Sequence, residues 1–90
     1  MRIIRLFPDV GSPSVLWEAA GPESNPPPSD LGLSPRLTEE LDAWHQLWLD
    51  HADPFTGWDT PENETLFLTA GMLLRDAVQS ELGPQFDVLR

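Results

Sequence analysis

Short apolar segments at both ends of the chain have the character of β-strands. Residues 2–7 are rich in β-branched and large apolar side chains and end at Pro8, as is typical of a strand. Residues 85–89 have the same character, and residues 14–18 supply a third short apolar run. We expect the two terminal strands to be neighbours in one sheet, because such pairing commonly fixes chain ends. The strand at 14–18 should pair with the first through the turn at 9–13.

The middle of the chain has helical periodicity instead. The pair Ser34-Pro35 indicates a helix start, since serine caps the first turn and proline fits the first helical position. At about 100° per residue, the large apolar side chains that follow share one face. They are Leu37, Leu41, Trp44 and Trp48. The pattern predicts a helix over about 35–53, ahead of Pro54.

A second helix is predicted over about 61–82. A threonine–proline pair at 60–61 repeats the start signal, and a glycine–proline pair at 83–84 is a strong stop signal. Gly71 lies inside this helix, where we expect it to mark a close approach to the first helix. The apolar side chains expected to be buried fill a wide arc, namely Leu66, Phe67, Ala70, Leu73, Leu74, Ala77 and Val78.

A proline-rich segment at about 19–33 separates the second strand from the first helix. It contains the triplet Pro26-Pro27-Pro28, which favours an extended, polyproline-like surface arm. The whole pattern predicts a single small α+β domain over residues 1–90, with a two- or three-stranded sheet packed on two helices.

The charge of the chain excludes several kinds of partner. There are 15 acidic and 5 basic side chains, which give a net charge of −10, and residues 9–69 hold twelve acids but one arginine. Nucleic acids and anionic membranes would repel such a surface, so we expect neither as a partner. The absence of cysteine excludes disulfides and thiolate metal sites. No apolar run is long enough to span a bilayer, and we expect a cytoplasmic protein without a signal peptide.

Catalytic chemistry has few candidates in this sequence. The chain has no cysteine, lysine or tyrosine that could act as a nucleophile or acid. His45 and His51 are six residues apart, which turns them about 120° away from each other on one helix. His51 with Asp53 or Asp59 is the remaining candidate, although a protonated histidine at a helix end is the simpler interpretation. We therefore predict no enzyme, no cofactor and no metal site.

The polar face of the first predicted helix is the strongest candidate for a binding surface. Four carboxylates, Glu39, Asp42, Asp50 and Asp53, fall within about 80° of arc opposite the apolar side chains, with no lysine or arginine among them. Like charges three or four residues apart destabilise a helix by a few tenths of a kcal/mol each. An unbalanced face of this kind has two interpretations: a purely solubilising surface, which is the simpler one, or a surface that docks against a basic protein.

A second, apolar surface supports a different hypothesis. Leu68 and Met72 lie four residues apart on the second predicted helix, outside its buried arc. If they are exposed together, they could form the contact of a homodimeric structural or regulatory module.

The chain resembles uncharacterised small acidic proteins of high-GC bacteria in several capping and packing motifs. The resemblance covers about residues 31–88. The matching residues are Leu33-Ser34-Pro35, Leu37, Leu41, Ala43-Trp44, Gly57-Trp58-Asp59, Gly71 and Glu81-Leu82-Gly83-Pro84. This resemblance implies no catalytic residue. By charge and size the chain is also similar to immunity proteins and antitoxins that neutralise basic nucleases. The leading hypothesis is a non-enzymatic binding protein that masks a basic partner, such as a toxin or a nuclease.

Overall fold

The computed structural model describes residues 2–19 and 24–89. Its elements in chain order are β1 (Arg2–Leu6), β2 (Leu16–Glu18), a 3₁₀ turn (Pro28–Leu31), α1 (Pro35–His51), β3 (Ala52–Asp53), β4 (Gly57–Trp58), α2 (Pro61–Leu82) and β5 (Phe86–Leu89). Two helices pack against a small mixed sheet, which confirms the predicted α+β class.

The main sheet joins the two ends of the described chain. Its strand order is β2-β1-β5. β1 and β2 are antiparallel, with Ile4 opposite Glu18. β1 and β5 are parallel, with Ile4 opposite Val88, and the connection between them, which contains β2 and both helices, is long enough for a parallel pair. The prediction that the terminal strands are neighbours is therefore confirmed.

Both helices begin as their capping signals predict. The Ser34 hydroxyl accepts a hydrogen bond from the Leu37 amide, and the Thr60 hydroxyl accepts one from the Asn63 amide. Ser34 also donates from its amide and its hydroxyl to the two carboxylate oxygens of Glu81, at 2.7 and 2.8 Å. These bonds tie the start of α1 to the end of α2, so the two helices run antiparallel.

The core lies between the sheet and the two helices. Trp44 is its largest member: it is 3% exposed, stacks on Phe67 with ring centroids 4.5 Å apart, and donates its indole N–H to the Phe67 carbonyl at 2.9 Å. The fully buried side chains around it are Ile4, Leu6, Leu16, Leu41, Val78 and Val88. Trp48 packs against this core but is only half-buried.

The other two tryptophans fold back on the protein. Trp17 stacks on Phe7 at 4.9 Å and donates its indole N–H to the Phe7 carbonyl at 3.0 Å. Trp58 is half-buried and lies 5.1 Å from Phe67 in a tilted arrangement. Each indole therefore covers another aromatic ring and leaves only part of its surface to solvent.

The predicted wide buried arc of α2 is wrong at two positions. Leu66 is 54% exposed and Leu73 is 67% exposed. Both side chains line an open groove between α1 and α2, so α1 covers only part of that side of α2. The residues of α2 that are buried are Phe67, Gly71, Leu74, Val78 and Leu82.

Side chains cover the outer edges of the three-stranded sheet. On β5, Gln79 donates to the Phe86 carbonyl at 2.9 Å and accepts from the Val88 amide at 3.0 Å, while Arg75 donates to the Val88 carbonyl at 2.7 Å. On β2, the Asn25 side chain donates to the Leu16 carbonyl at 2.6 Å. Covered edges of this kind disfavour the addition of a further strand from another chain.

Replacing Gln79 with alanine should lower the free energy of unfolding by about 1–3 kcal/mol, because the Phe86 carbonyl and the Val88 amide of β5 lose their hydrogen bonds to this side chain. Urea denaturation followed by circular dichroism measures this change. The neighbouring exposed Ser80→Ala is the matched control, and it should shift stability by less than about 0.5 kcal/mol. Equal stability of the two variants would show that Gln79 does not hold β5 to α2.

The described part of the proline-rich segment departs from an extended arm. Pro28 and Leu33 are buried, and Pro28–Leu31 form the 3₁₀ turn, which ends at Gly32 in the left-handed conformation with φ 74°. Residues 20–23 of this segment lie outside the described residues. Among the residues described, no helix is both long enough and apolar enough to cross a membrane.

Candidate functional site

Three of the four predicted carboxylates share one exposed face of α1. Glu39, Asp42 and Asp50 form what we call the acidic ridge, which extends about 16 Å along the helix. Gln46 donates to the Asp50 carboxylate at 2.7 Å. Within the described part of the chain, neither Glu39 nor Asp42 has a cationic partner. The ridge therefore presents negative charge that the protein itself does not balance.

Asp53, the fourth predicted carboxylate, does not lie on the helix. α1 ends at His51, because Ala52 adopts an extended conformation with φ −109° and ψ 137°. The Asp53 carboxylate instead accepts hydrogen bonds from the amides of Phe55 at 2.7 Å and Thr56 at 3.1 Å. These bonds lower the pKa of Asp53, so its carboxylate stays charged near neutral pH. Asp53 thus adds an exposed negative charge just beyond the end of the ridge.

The strands β3 and β4 form a hairpin that sequence reasoning missed. Ala52 pairs with Trp58 and Asp53 pairs with Gly57, whose φ of 83° is readily available only to glycine. Phe55 lies at the tip and is 94% exposed. The proline and glycine in this segment indicate a turn, but two-residue strands are too short to show a period, so the exposure of Phe55 could not be predicted.

The base of the hairpin is tied to both helices. The His51 ring nitrogen Nδ1 lies 2.7 Å from an Asp59 carboxylate oxygen, and the Asp59 amide donates to the His51 carbonyl at 2.9 Å. Asn63, in the first turn of α2, donates to the other Asp59 oxygen at 3.0 Å. Hydrogen bonds from Asn63 and then His51 lower the pKa of Asp59. His51 and Asp59, one of the two pairs considered as catalytic candidates, therefore join the end of α1 to the start of α2.

The lowered pKa of Asp59 predicts a loss of stability in acid. A carboxylate whose pKa is lower in the folded state stabilises the fold at pH values above its pKa in the unfolded chain, which is 3.8 here. This contribution disappears as the pH falls through the pKa of the folded state. Thermal unfolding of the protein and of Asp59→Asn, followed from pH 7 to pH 2, should therefore show melting temperatures that differ at pH 7 and converge as the pH falls below 3.8. A constant difference across this range would contradict the assignment. Comparing the two proteins at each pH removes the effect of the changing net charge.

Two apolar surfaces lie on α2, roughly 130° apart around the helix. On one side, Leu68 and Met72 are 49% and 67% exposed, as predicted. On the other side, Leu66 and Leu73 border an open groove of about 360 Å³ between the helices. The residues that line it are Glu40, Ala43, Trp44, Leu47, Leu66, Ala70, Leu73 and Leu74. The acidic ridge borders this groove on its α1 side.

Comparison with known families supports one of the classes of function considered from the sequence. The model of the Serratia CdiI immunity protein-like family matches residues 2–89, which is nearly the whole chain. The chain belongs to this family. No protein of the curated set matches it.

Membership of the Serratia CdiI immunity protein-like family indicates what kind of molecule this chain binds. An immunity protein acts by binding a toxin, so the family implies a toxin as the partner of this chain. Proteins of this kind are generally not enzymes, in agreement with the structural role of His51 and Asp59. The hypothesis of an immunity-like binding protein is thereby confirmed at the level of the family.

Proposed function

We propose that this chain is an immunity protein that neutralises a basic toxin by covering it with the acidic ridge and the neighbouring Asp53. The observation that carries the proposal is the family match over residues 2–89. The net charge of −10 supports a basic partner, since oppositely charged surfaces attract and orient each other before contact.

The mechanism is electrostatic and steric masking. The ridge carboxylates are exposed and have no cationic partner of their own within the described residues, so binding a toxin would not first require breaking internal ion pairs. If the toxin is a nuclease, its basic surface is the one on which a phosphate chain would lie. A row of carboxylates about 16 Å long would occupy that surface in place of the nucleic acid.

The proposal is tested by growth rescue in bacteria. The polypeptide encoded by the neighbouring gene is expressed first on its own. We call it the toxin if this expression arrests bacterial growth. Co-expression of this chain should restore growth, and the two purified proteins should form a complex. Continued arrest despite full expression of this chain would contradict the proposal. We place the encounter in the cytoplasm, because a chain without cysteine does not depend on an oxidising compartment.

A homodimeric module is the second candidate, favoured by the exposure of Leu68 and Met72. Light scattering on the protein and on Met72→Asp tests it. A dimer that becomes a monomer in the variant would support the contact at Leu68 and Met72. A monomer in both cases would exclude it.

A further inference from the structure

Phe55 is an aromatic side chain that the fold holds in solvent. It is 94% exposed, whereas the other exposed large apolar side chains of the described residues range from 36% for Leu89 to 69% for Val10. Burying a phenylalanine side chain contributes about 1.5–3 kcal/mol to stability. The fold does not gain this contribution at Phe55, so the ring remains available for a contact with another molecule.

The hairpin restrains the backbone at Phe55. Asp53 bonds the amides of Phe55 and Thr56, the two residues at the tip. Below the tip, Trp58 lies 5.1 Å from the core ring of Phe67. The Asp59 contacts with α1 and α2 fix the base. A loop whose backbone is fixed in advance loses less conformational entropy on binding, and aromatic anchors dominate many protein interfaces.

The charge around the tip determines what can cover Phe55. Residues 50–64 include five carboxylates and no lysine or arginine, and the lowered pKa of Asp53 and Asp59 keeps both charged near neutral pH. A second copy of this chain would bring the same carboxylates against these, and an anionic membrane would also be repelled. A basic protein surface is the occupant that this charge favours.

We infer that Phe55 inserts into an apolar pocket of the toxin whose rim carries arginine or lysine side chains, and that Asp50 and Asp53 contact this rim. The inference rests on the proposed function and adds a specific anchor to it. The acidic ridge attracts the toxin and orients it, while Phe55 holds the complex together by removing apolar surface from water.

Phe55→Ala tests the anchor directly. Titration calorimetry with the toxin should show an affinity about 30-fold or more below that of the unchanged chain. Val10→Ala is the matched control, since Val10 is also exposed and apolar but lies between β1 and β2, outside the hairpin, and its affinity should change less than about 3-fold. The thermal midpoints of both variants should stay close to that of the unchanged chain, because neither side chain is buried.

The outcomes separate this inference from the proposed function. If the unchanged chain binds the toxin and restores growth while Phe55→Ala binds within about 3-fold of it, the anchor is wrong and the proposed function stands. If the unchanged chain neither binds nor restores growth, the proposed function fails. An equal loss of affinity in Val10→Ala and Phe55→Ala would also overturn the inference, since it would show no special role for the hairpin.

Two changes at Asp53 test the rigidity of the tip. Asp53→Asn keeps an oxygen that can accept from the Phe55 and Thr56 amides but removes the charge, whereas Asp53→Ala removes both. A larger loss of affinity in the alanine variant would support a tip held in place by these bonds. Equal losses would show that only the charge of Asp53 matters and would overturn the role of a fixed tip.

Discussion

Trp44→Ala should lower the free energy of unfolding by about 3–5 kcal/mol. A domain of this length has roughly 5–13 kcal/mol of stability in total, so the variant would lose a large part of it. The indole is 3% exposed, stacks on Phe67 and bonds its carbonyl. Its removal leaves a cavity at the point where α1 contacts α2. Urea denaturation followed by circular dichroism measures the loss.

Two further variants show whether the loss comes from this packing. Trp44→Phe keeps an aromatic ring against Phe67 but loses the indole hydrogen bond, so it should be destabilised less than the alanine variant. Leu49→Ala on the same helix removes a side chain that is 40% exposed and should have a much smaller effect. A loss of less than about 1 kcal/mol in Trp44→Ala would contradict the described core.

Reversing the charge of the acidic ridge should slow association with the toxin by ten-fold or more at low ionic strength. The double variant Asp42→Lys with Asp50→Lys replaces two carboxylates of the ridge with cations, which would repel a basic toxin. Both side chains are exposed, so the fold should persist. Stopped-flow measurements of the association rate detect the change. The difference from the unchanged chain should shrink at about 0.5 M salt, where charges are screened within a few ångströms.

A matched control separates the ridge from the net charge. Asp30→Lys with Asp76→Lys changes the net charge by the same amount at two exposed positions that lie outside α1. This variant should associate several times faster than the ridge variant. Equal slowing of the two would show that total charge matters rather than its location. An unchanged rate in the ridge variant would contradict the masking mechanism.

The helices and the main sheet follow from local signals in the sequence. Ser34-Pro35 and Thr60-Pro61 have the caps that these residue pairs predict, since capping depends on the few residues next to a helix start. The pairing of β1 with β5 agrees with the apolar character of both chain ends. Its parallel direction could not be predicted from either strand, because it depends on how the whole chain crosses the sheet.

The exposed apolar surface depends on how the elements pack, which periodicity does not specify. Leu66 and Leu73 have the spacing of buried residues, yet they face the open groove because α1 covers only part of that side of α2. Asp53 follows the helical spacing of the ridge but lies beyond the last helical residue, where Ala52 has become extended. Phe55 belongs to a hairpin with two-residue strands, so no repeated pattern indicates its position.

Carboxyl labelling tests most directly where the toxin binds. Carbodiimide-activated coupling of glycine ethyl ester marks exposed aspartate and glutamate side chains, and mass spectrometry then reads the labelling of each position in the free chain and in the complex. Binding through the acidic ridge predicts that Asp42 and Asp50 are protected in the complex, while Asp76, exposed on α2, is labelled as in the free chain. Full labelling of Asp42 and Asp50 in a complex that neutralises the toxin would contradict it.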